Sequence, residues 1–166
     1  MAATDTIVFT DLAGFTEYTD VRGDAAALAL LDQQATMLRQ ALANSGGRLV
    51  KELGDGLMLW FSHPVPALEA AISMLAAIEK ARDERAFPLG VRIGMHSGDL
   101  LPRGDDFVGQ TVNIAARVVD LAGPDELLAT DAVVAEAGEA SFQPIGPARV
   151  KGVAAPVWLH RLQTAR

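Results

Sequence analysis

Two carboxylates at bends in the chain are the residues best suited to chemistry. Asp55 sits between two glycines in Lys51-Glu52-Leu53-Gly54-Asp55-Gly56, where the backbone bends tightly and still carries an acidic side chain. Lys51 lies four residues upstream. Asp11 closes the apolar run Thr6–Thr10 and precedes Leu12-Ala13-Gly14-Phe15-Thr16, which reads as a turn into a helix. A helix start there offers unpaired N–H groups to phosphate oxygens. Asp11 itself suits either of two roles, metal ligand or helix cap. If the two bends meet, carboxylates about 4 Å apart repel by roughly 4 kcal/mol at an effective dielectric of about 20. A shared proton or a divalent cation relieves that cost. Oxygen donors without His or Cys beside them suit Mg²⁺ or Mn²⁺. Two such ions can activate an attacking oxygen and stabilise a leaving one in phosphoryl chemistry.

Further polar residues stand downstream. In Gly109-Gln110-Thr111-Val112-Asn113-Ile114-Ala115-Ala116-Arg117, Asn113 and Arg117 are four apart and share one helix face. They suit a sugar oxygen and a phosphate, or a solvated stripe in which Arg117 pairs with Asp120. Asp106 precedes that helix and either accepts from an amine or solvates a loop. Lys151 meets a phosphate or stands exposed on a strand. His63, His96 and His160 show no ligand spacing and read as structural or surface residues. A Walker-type loop and a Gly-x-Ser-x-Gly elbow are both missing from the sequence.

The elements that must position these groups follow from periodicity. Thr6–Thr10 reads as a strand, and Asp24 is expected to cap a long helix through Asn44, with Leu28, Leu31, Ala35, Leu38 and Leu42 on its apolar stripe. Arg48–Leu53 and Leu57–Phe61 flank the Gly-Asp-Gly turn as a β-hairpin. A helix from Pro66 to about Arg85 follows, with stripe Leu68, Ile72, Leu75 and Ile78. Next come a strand through Val91, Ile93 and Met95, a turn at Pro102–Gly104, and a helix to about Leu121 facing inward through Val112, Ala115, Val119 and Ala122. The C-terminal part reads as a short strand Glu126–Ala129, a short helix capped by Asp131, and strands at Phe142–Ile145, Ala148–Lys151 and Val157–Leu162. This order is an α/β βαββαβ core with C-terminal additions, and the short connections predict a single domain over residues 1–166.

Composition narrows the possibilities. The chain has 166 residues, 50% of them hydrophobic and 21% charged, enough to bury a core. A formal net charge of −7 argues against a nucleic-acid-coating protein, which needs a basic face. It also obliges any triphosphate ligand to bring divalent cations and to find well-placed Lys or Arg groups. With no cysteine, disulfides, thiol catalysis and cysteine-ligated zinc are excluded. The absence of a leader-like start and of a run of about 18 apolar residues predicts a soluble, cytoplasmic chain with no membrane span. It can also be a module of a longer protein, and no stretch of it resembles an attached regulatory domain.

Four segments, in order from about Thr6 to Leu162, resemble the class III adenylate/guanylate cyclase catalytic domain. They are Phe9-Thr10-Asp11-Leu12-Ala13-Gly14-Phe15-Thr16, Lys51-Glu52-Leu53-Gly54-Asp55-Gly56, the run from Asp106 to Arg117, and Val150-Lys151-Gly152 followed by Pro156-Val157. The resemblance implies a ferredoxin-like fold working as a head-to-tail homodimer. It also implies two Mg²⁺ or Mn²⁺ ions per site on Asp11 and Asp55, with Leu12 lending its carbonyl. The backbone of Gly14, Phe15 and Thr16 would cradle the β- and γ-phosphates, and Lys151 would hold the terminal one. Lys51 and Asp106 would read adenine, Asn113 would orient the ribose, and Arg117 would stabilise charge on the α-phosphate. The Lys/Asp pair matches ATP, whereas cyclases acting on GTP usually carry Glu and Cys-like residues there. The implied activity is cyclisation of ATP to 3′,5′-cyclic AMP and pyrophosphate. A guanylate cyclase and a catalytically silent nucleotide-binding or dimerisation module are the alternatives. The short Leu100–Gly104 segment, where many relatives carry a longer dimerisation arm, implies a less extensive interface.

Overall fold

The computed structural model describes residues 4–163. A seven-stranded mixed sheet runs through its centre. In chain order the elements are β1 (Thr6–Leu12), α1 (Phe15–Arg22), α2 (Asp24–Leu42), β2 (Arg48–Leu53), β3 (Gly56–Phe61), α3 (Pro64–Asp83) and β4 (Val91–Ser97). Then come β5 (Leu101–Arg103), β6 (Asp106–Val108), α4 (Gln110–Leu121), β7 (Leu127–Thr130), α5 (Asp131–Ala137), a 3₁₀ turn (Glu139–Ser141), β8 (Phe142–Ala148) and β9 (Val157–Leu162). The sheet order is β2-β3-β1-β4-β7-β9-β8. Its first four strands make the expected βαββαβ core, and β7 to β9 extend one edge. β5 and β6 form a separate two-stranded hairpin.

Strand alternation divides the sheet into two buried faces. Val8, Leu57, Leu59, Val91, Ile93 and Met95 pack with Leu30, Met37 and Leu38 of α2 and with Ala67, Ala71, Met74 and Ile78 of α3. On the other face Ile7, Phe9 and Met58 meet Ala115 and Val119 of α4. Val91, Ile93 and Met95 therefore share a side, as the sequence implies. Gly94 points the opposite way, and α4 lies directly on it: a Cβ at Gly94 would stand 2.3 Å from the Val119 backbone nitrogen. Glycine is required there by the close approach of helix to strand.

Several details differ from the sequence reading. Helix α2 buries Ala27, Leu30, Gln34, Met37 and Leu38, while Leu28 is 60% exposed. The stripe is rotated by about one residue because Leu occurs on both sides of the helix, and hydropathy alone does not choose between them. Asp24 does not cap α2; Gly23 occupies that position with no side-chain bond, and the helix ends at Leu42 instead of Asn44. Helix α3 begins two residues earlier than expected, because the His63 side chain accepts from Val65 N–H and the two prolines fit its first turn. Its buried stripe includes Leu68 and Ile78 but leaves Ile72 exposed, with alanines and Met74 filling the contact. Asp131 opens α5 without capping it; Thr130 holds that place. The expected strands at Phe142–Ile145 and Ala148–Lys151 are replaced by one strand to Ala148, with a register shift between Pro144 and Gly146.

The three histidines, read from the sequence as structural or surface residues, each have a partner in the fold, His63 at the start of α3. Burial lowers the His96 pKa to about 4, and its ring is hydrogen-bonded to Thr130 Oγ1 at 2.6 Å. His160 pairs with Asp131. Among the described residues no helix is long and apolar enough to cross a membrane. Because α4 rests on the Gly94 backbone, Gly94→Ala should lift the helix and cost about 1–3 kcal/mol or more. Chemical denaturation should read this as a lower midpoint at unchanged slope.

Candidate functional site

The register of β1 brings the two acidic bends together. β1 pairs antiparallel with β3, placing Thr10 opposite Leu57, and with β4, placing Asp11 opposite Arg92. The Gly54–Gly56 turn therefore lies beside the end of β1. The strands approach so closely that a Cβ on Gly56 would come within 2.8 Å of the Thr10 carbonyl oxygen. Across this contact the Leu12 N–H donates to Asp55 Oδ2 at 3.0 Å. On the other flank Arg92 Nε donates to Asp11 Oδ1 at 2.6 Å. Each carboxylate thus has one oxygen engaged by the chain and a second without such a bond among the described residues.

Asp11, Leu12, Gly14, Phe15, Thr16, Glu17, Asp55 and Arg92 line one open groove of about 500 Å³. Partial burial raises the Asp11 pKa above the ordinary carboxylate value; Arg92 opposes that rise, while Asp55 and Asp120 add to it. Within the groove, which Glu17 also lines, Asp11 and Asp55 repel each other beside the backbone turn at the start of α1. Among the described residues no cluster of three or more His, Asp or Glu forms a self-contained metal cage. The donor set suits hard cations that complete their shells with oxygens from a substrate or water, as Mg²⁺ and Mn²⁺ do.

The downstream residues occupy a second groove, of about 560 Å³, lined by Asn113, Ala116, Arg117, Asp120, Arg149, Val150 and Lys151. Helix α4 presents Ile114 and Val118, and the residue after it Ala122, to a core that also contains Val150. That buried valine anchors the segment bearing Arg149 and Lys151 against the helix, whose exposed side carries Asn113 and Arg117. Three cations face one carboxylate, an arrangement suited to a polyphosphate. Arg117 makes no ion pair with Asp120; the ion pairs among the described residues lie elsewhere. The two grooves share no lining residue.

Lys51 and Asp106 are brought together and line neither groove. The β5–β6 hairpin folds over β2 and β3: Arg48 Nη1 donates to the Asp105 carbonyl at 3.0 Å and its guanidinium covers the Phe107 ring, which stacks on Trp60. Lys51 Nζ then donates to Asp106 Oδ2 at 2.8 Å. That bond and one from the Phe107 N–H hold the Asp106 pKa below its usual value. A donor and an acceptor thus sit side by side, partly exposed.

Two candidates escaped the sequence reading. Arg92 was hidden inside an apolar strand, although a lone arginine between Val91 and Ile93 was a usable signal. Arg149 lies two residues before Lys151 and showed no motif of its own.

Residues 3–163 match the model of the adenylate and guanylate cyclase catalytic domain, and the chain belongs to that family. It is 30% identical over 164 residues to a pH-sensitive adenylate cyclase of Mycobacterium tuberculosis, covering 95% of this chain and 40% of that protein. The chain spans about 40% of the length of this relative and of another mycobacterial protein to which it is 33% identical. The fold superposes on the adenylyl cyclase CyaB from P. aeruginosa with a TM-score of 0.87 at 23% identity, covering 100% of this chain and 96% of that one. It superposes comparably on the guanylate cyclase domain of RhGC from Catenaria anguillulae, solved with GTP: TM-score 0.84 at 19% identity, covering 99% and 98%.

Replacing Arg92 with Ala removes the cation that counters Asp55 and burial at Asp11. The Asp11 carboxyl of the metal-free protein should then titrate at higher pH than in the wild type, as followed by carboxyl carbon NMR.

Proposed function

We propose that this chain is the catalytic domain of an adenylate cyclase, forming 3′,5′-cyclic AMP and pyrophosphate from ATP at sites between two copies of itself. The observation that carries the reading is the meeting of Asp11 and Asp55 in one groove beside the Gly14–Thr16 turn. Asp11, Asp55 and the Leu12 carbonyl would hold two Mg²⁺ or Mn²⁺ ions. When bound, these ions supply Lewis acidity that lowers the pKa of the ribose 3′-hydroxyl and offsets charge at the α-phosphate.

The chain's own residues do the rest. The backbone of Gly14, Phe15 and Thr16 cradles the β- and γ-phosphates. Asn113 orients the ribose so that the 3′-oxygen lies in line with the bond to be broken. Arg117 stabilises charge on the α-phosphate as the 3′-oxygen–phosphorus bond forms and the bond to pyrophosphate breaks. Lys151 holds the terminal phosphate, with Arg149 in the same groove. The hydroxyl proton leaves to water or to a substrate oxygen.

The second copy enters because one chain divides these groups. The acidic groove and the Asn113–Arg117–Lys151 groove have no lining residue in common, and Lys51 and Asp106 line neither. A head-to-tail homodimer sets the metal-binding half of one copy against the base-, ribose- and phosphate-binding half of the other. The Lys51–Asp106 pair supports ATP: Lys51 can donate to adenine N1 and Asp106 can accept from the exocyclic amine. Guanine offers a donor and a carbonyl there, leaving both contacts mismatched.

Incubation with ATP and GTP separately, with Mg²⁺ or Mn²⁺, should yield cyclic AMP as the principal product. Nucleotide binding without cyclisation would support a silent binding module instead. Asp11→Ala, Asp55→Ala and Arg117→Ala should each lose at least about 100-fold in kcat, in line with removal of a charge-stabilising donor. Mixing Asp11→Ala with Arg117→Ala should recover part of the activity, because mixed dimers retain one intact site; no recovery would contradict the shared-site arrangement. Lys51→Glu combined with Asp106→Cys should shift preference towards GTP, read as the ratio of kcat/KM for the two nucleotides.

A further inference from the structure

We propose that Gln34, in the middle of α2, is a positioning residue that holds the Asp55 turn in its metal-binding geometry. The inference rests on the reading of Asp55 as a metal ligand. Gln34 is the only polar residue among the buried positions of α2, and it is 2% exposed. Its Nε2 donates to the Asp55 main-chain carbonyl at 3.2 Å. Because that carbonyl can only accept, the amide must point its NH₂ group at the turn. Its Oε1 is then left buried with no partner among the described residues.

A leucine or methionine here would match glutamine in helix propensity and avoid burying an unpaired acceptor. For the fold alone, glutamine is the poorer choice. What it adds is one bond, and that bond ends on the residue whose carboxylate faces the groove. Asp55 is therefore held from two directions, by the β1 main chain on its carboxylate and by α2 on its backbone. Packing does not replace the second tether. An open groove of about 260 Å³ runs beside this bond, between α2 and the hairpin, with Gln34, Glu52, Gly54 and Leu57 in its lining. Without the amide the turn has room to shift, and a displaced carboxylate binds a cation less tightly.

The test compares Gln34→Met, Gln34→Leu and Asp55→Ala in the full chain. Mn²⁺ affinity is measured by electron paramagnetic resonance of the unbound ion with saturating 3′-deoxy-ATP, which cannot cyclise, alongside thermal unfolding of the metal-free protein. Both Gln34 variants should bind Mn²⁺ about 10-fold more weakly, with a Tm equal to or above that of the wild type. Wild-type affinity in both, with Asp55→Ala impaired, would overturn the role of Gln34 and leave the metal reading standing. Unimpaired binding in Asp55→Ala would overturn the metal reading and this inference together. A large drop in Tm, or loss of folded protein, in both Gln34 variants would also overturn it, because the amide would then be a strut for the fold.

Discussion

The structure depends on the register of β1 between its two antiparallel neighbours. Pairing with β3 sets the end of β1 against the Gly54–Gly56 turn, and pairing with β4 sets Asp11 opposite Arg92. Two carboxylates in a partly desolvated groove repel each other, and Arg92 and the Leu12 N–H partly offset that repulsion. A one-residue slip would turn Asp11 to the other face and send Val8 and Phe9 to the wrong cores. The apolar pattern that buries both faces of the strand thus also aims its terminal carboxylate. Fold stability and site geometry share one determinant.

The remaining groups are placed by packing on either side of that strand. Helices α2 and α3 cover one face and α4 the other. Gly94 lets α4 lie close to the sheet, which leaves Asn113 and Arg117 on the helix's outer side. Val150 docks the Arg149–Lys151 segment onto the same helix, and the β5–β6 hairpin carries Asp106 to Lys51 through Arg48, Phe107 and Trp60. Each charged group is therefore delivered by a neighbouring apolar or aromatic anchor. This leaves the polar atoms at the surface instead of sunk in the core.

The fold itself does not choose the nucleotide. The adenylyl cyclase CyaB and the guanylate cyclase domain of RhGC superpose on this chain about equally well. On the proposed reading, discrimination comes from side chains within a shared scaffold, a role for which Lys51 and Asp106 supply a partly exposed donor–acceptor pair.

Much of this was legible in the linear sequence. Local turn chemistry marked Gly54-Asp55-Gly56, strand alternation placed Val91, Ile93 and Met95 on one side, and helical spacing put Asn113 beside Arg117; each depends only on near neighbours along the chain. The βαββαβ order followed from the same local signals. The phase of α2 did not, because Leu28 and Leu30 are equally apolar and only contact with the sheet distinguishes them. The pairing of Arg92 with Asp11, the bond from Gln34 to the Asp55 turn and the approach of Lys51 to Asp106 join residues 81, 21 and 55 positions apart. Such distances are closed by strand register and layer packing. Sequence alone therefore determined which groups are present and which local faces they occupy. Tertiary structure decided which of them meet, because contacts between distant residues exist only once the sheet is assembled.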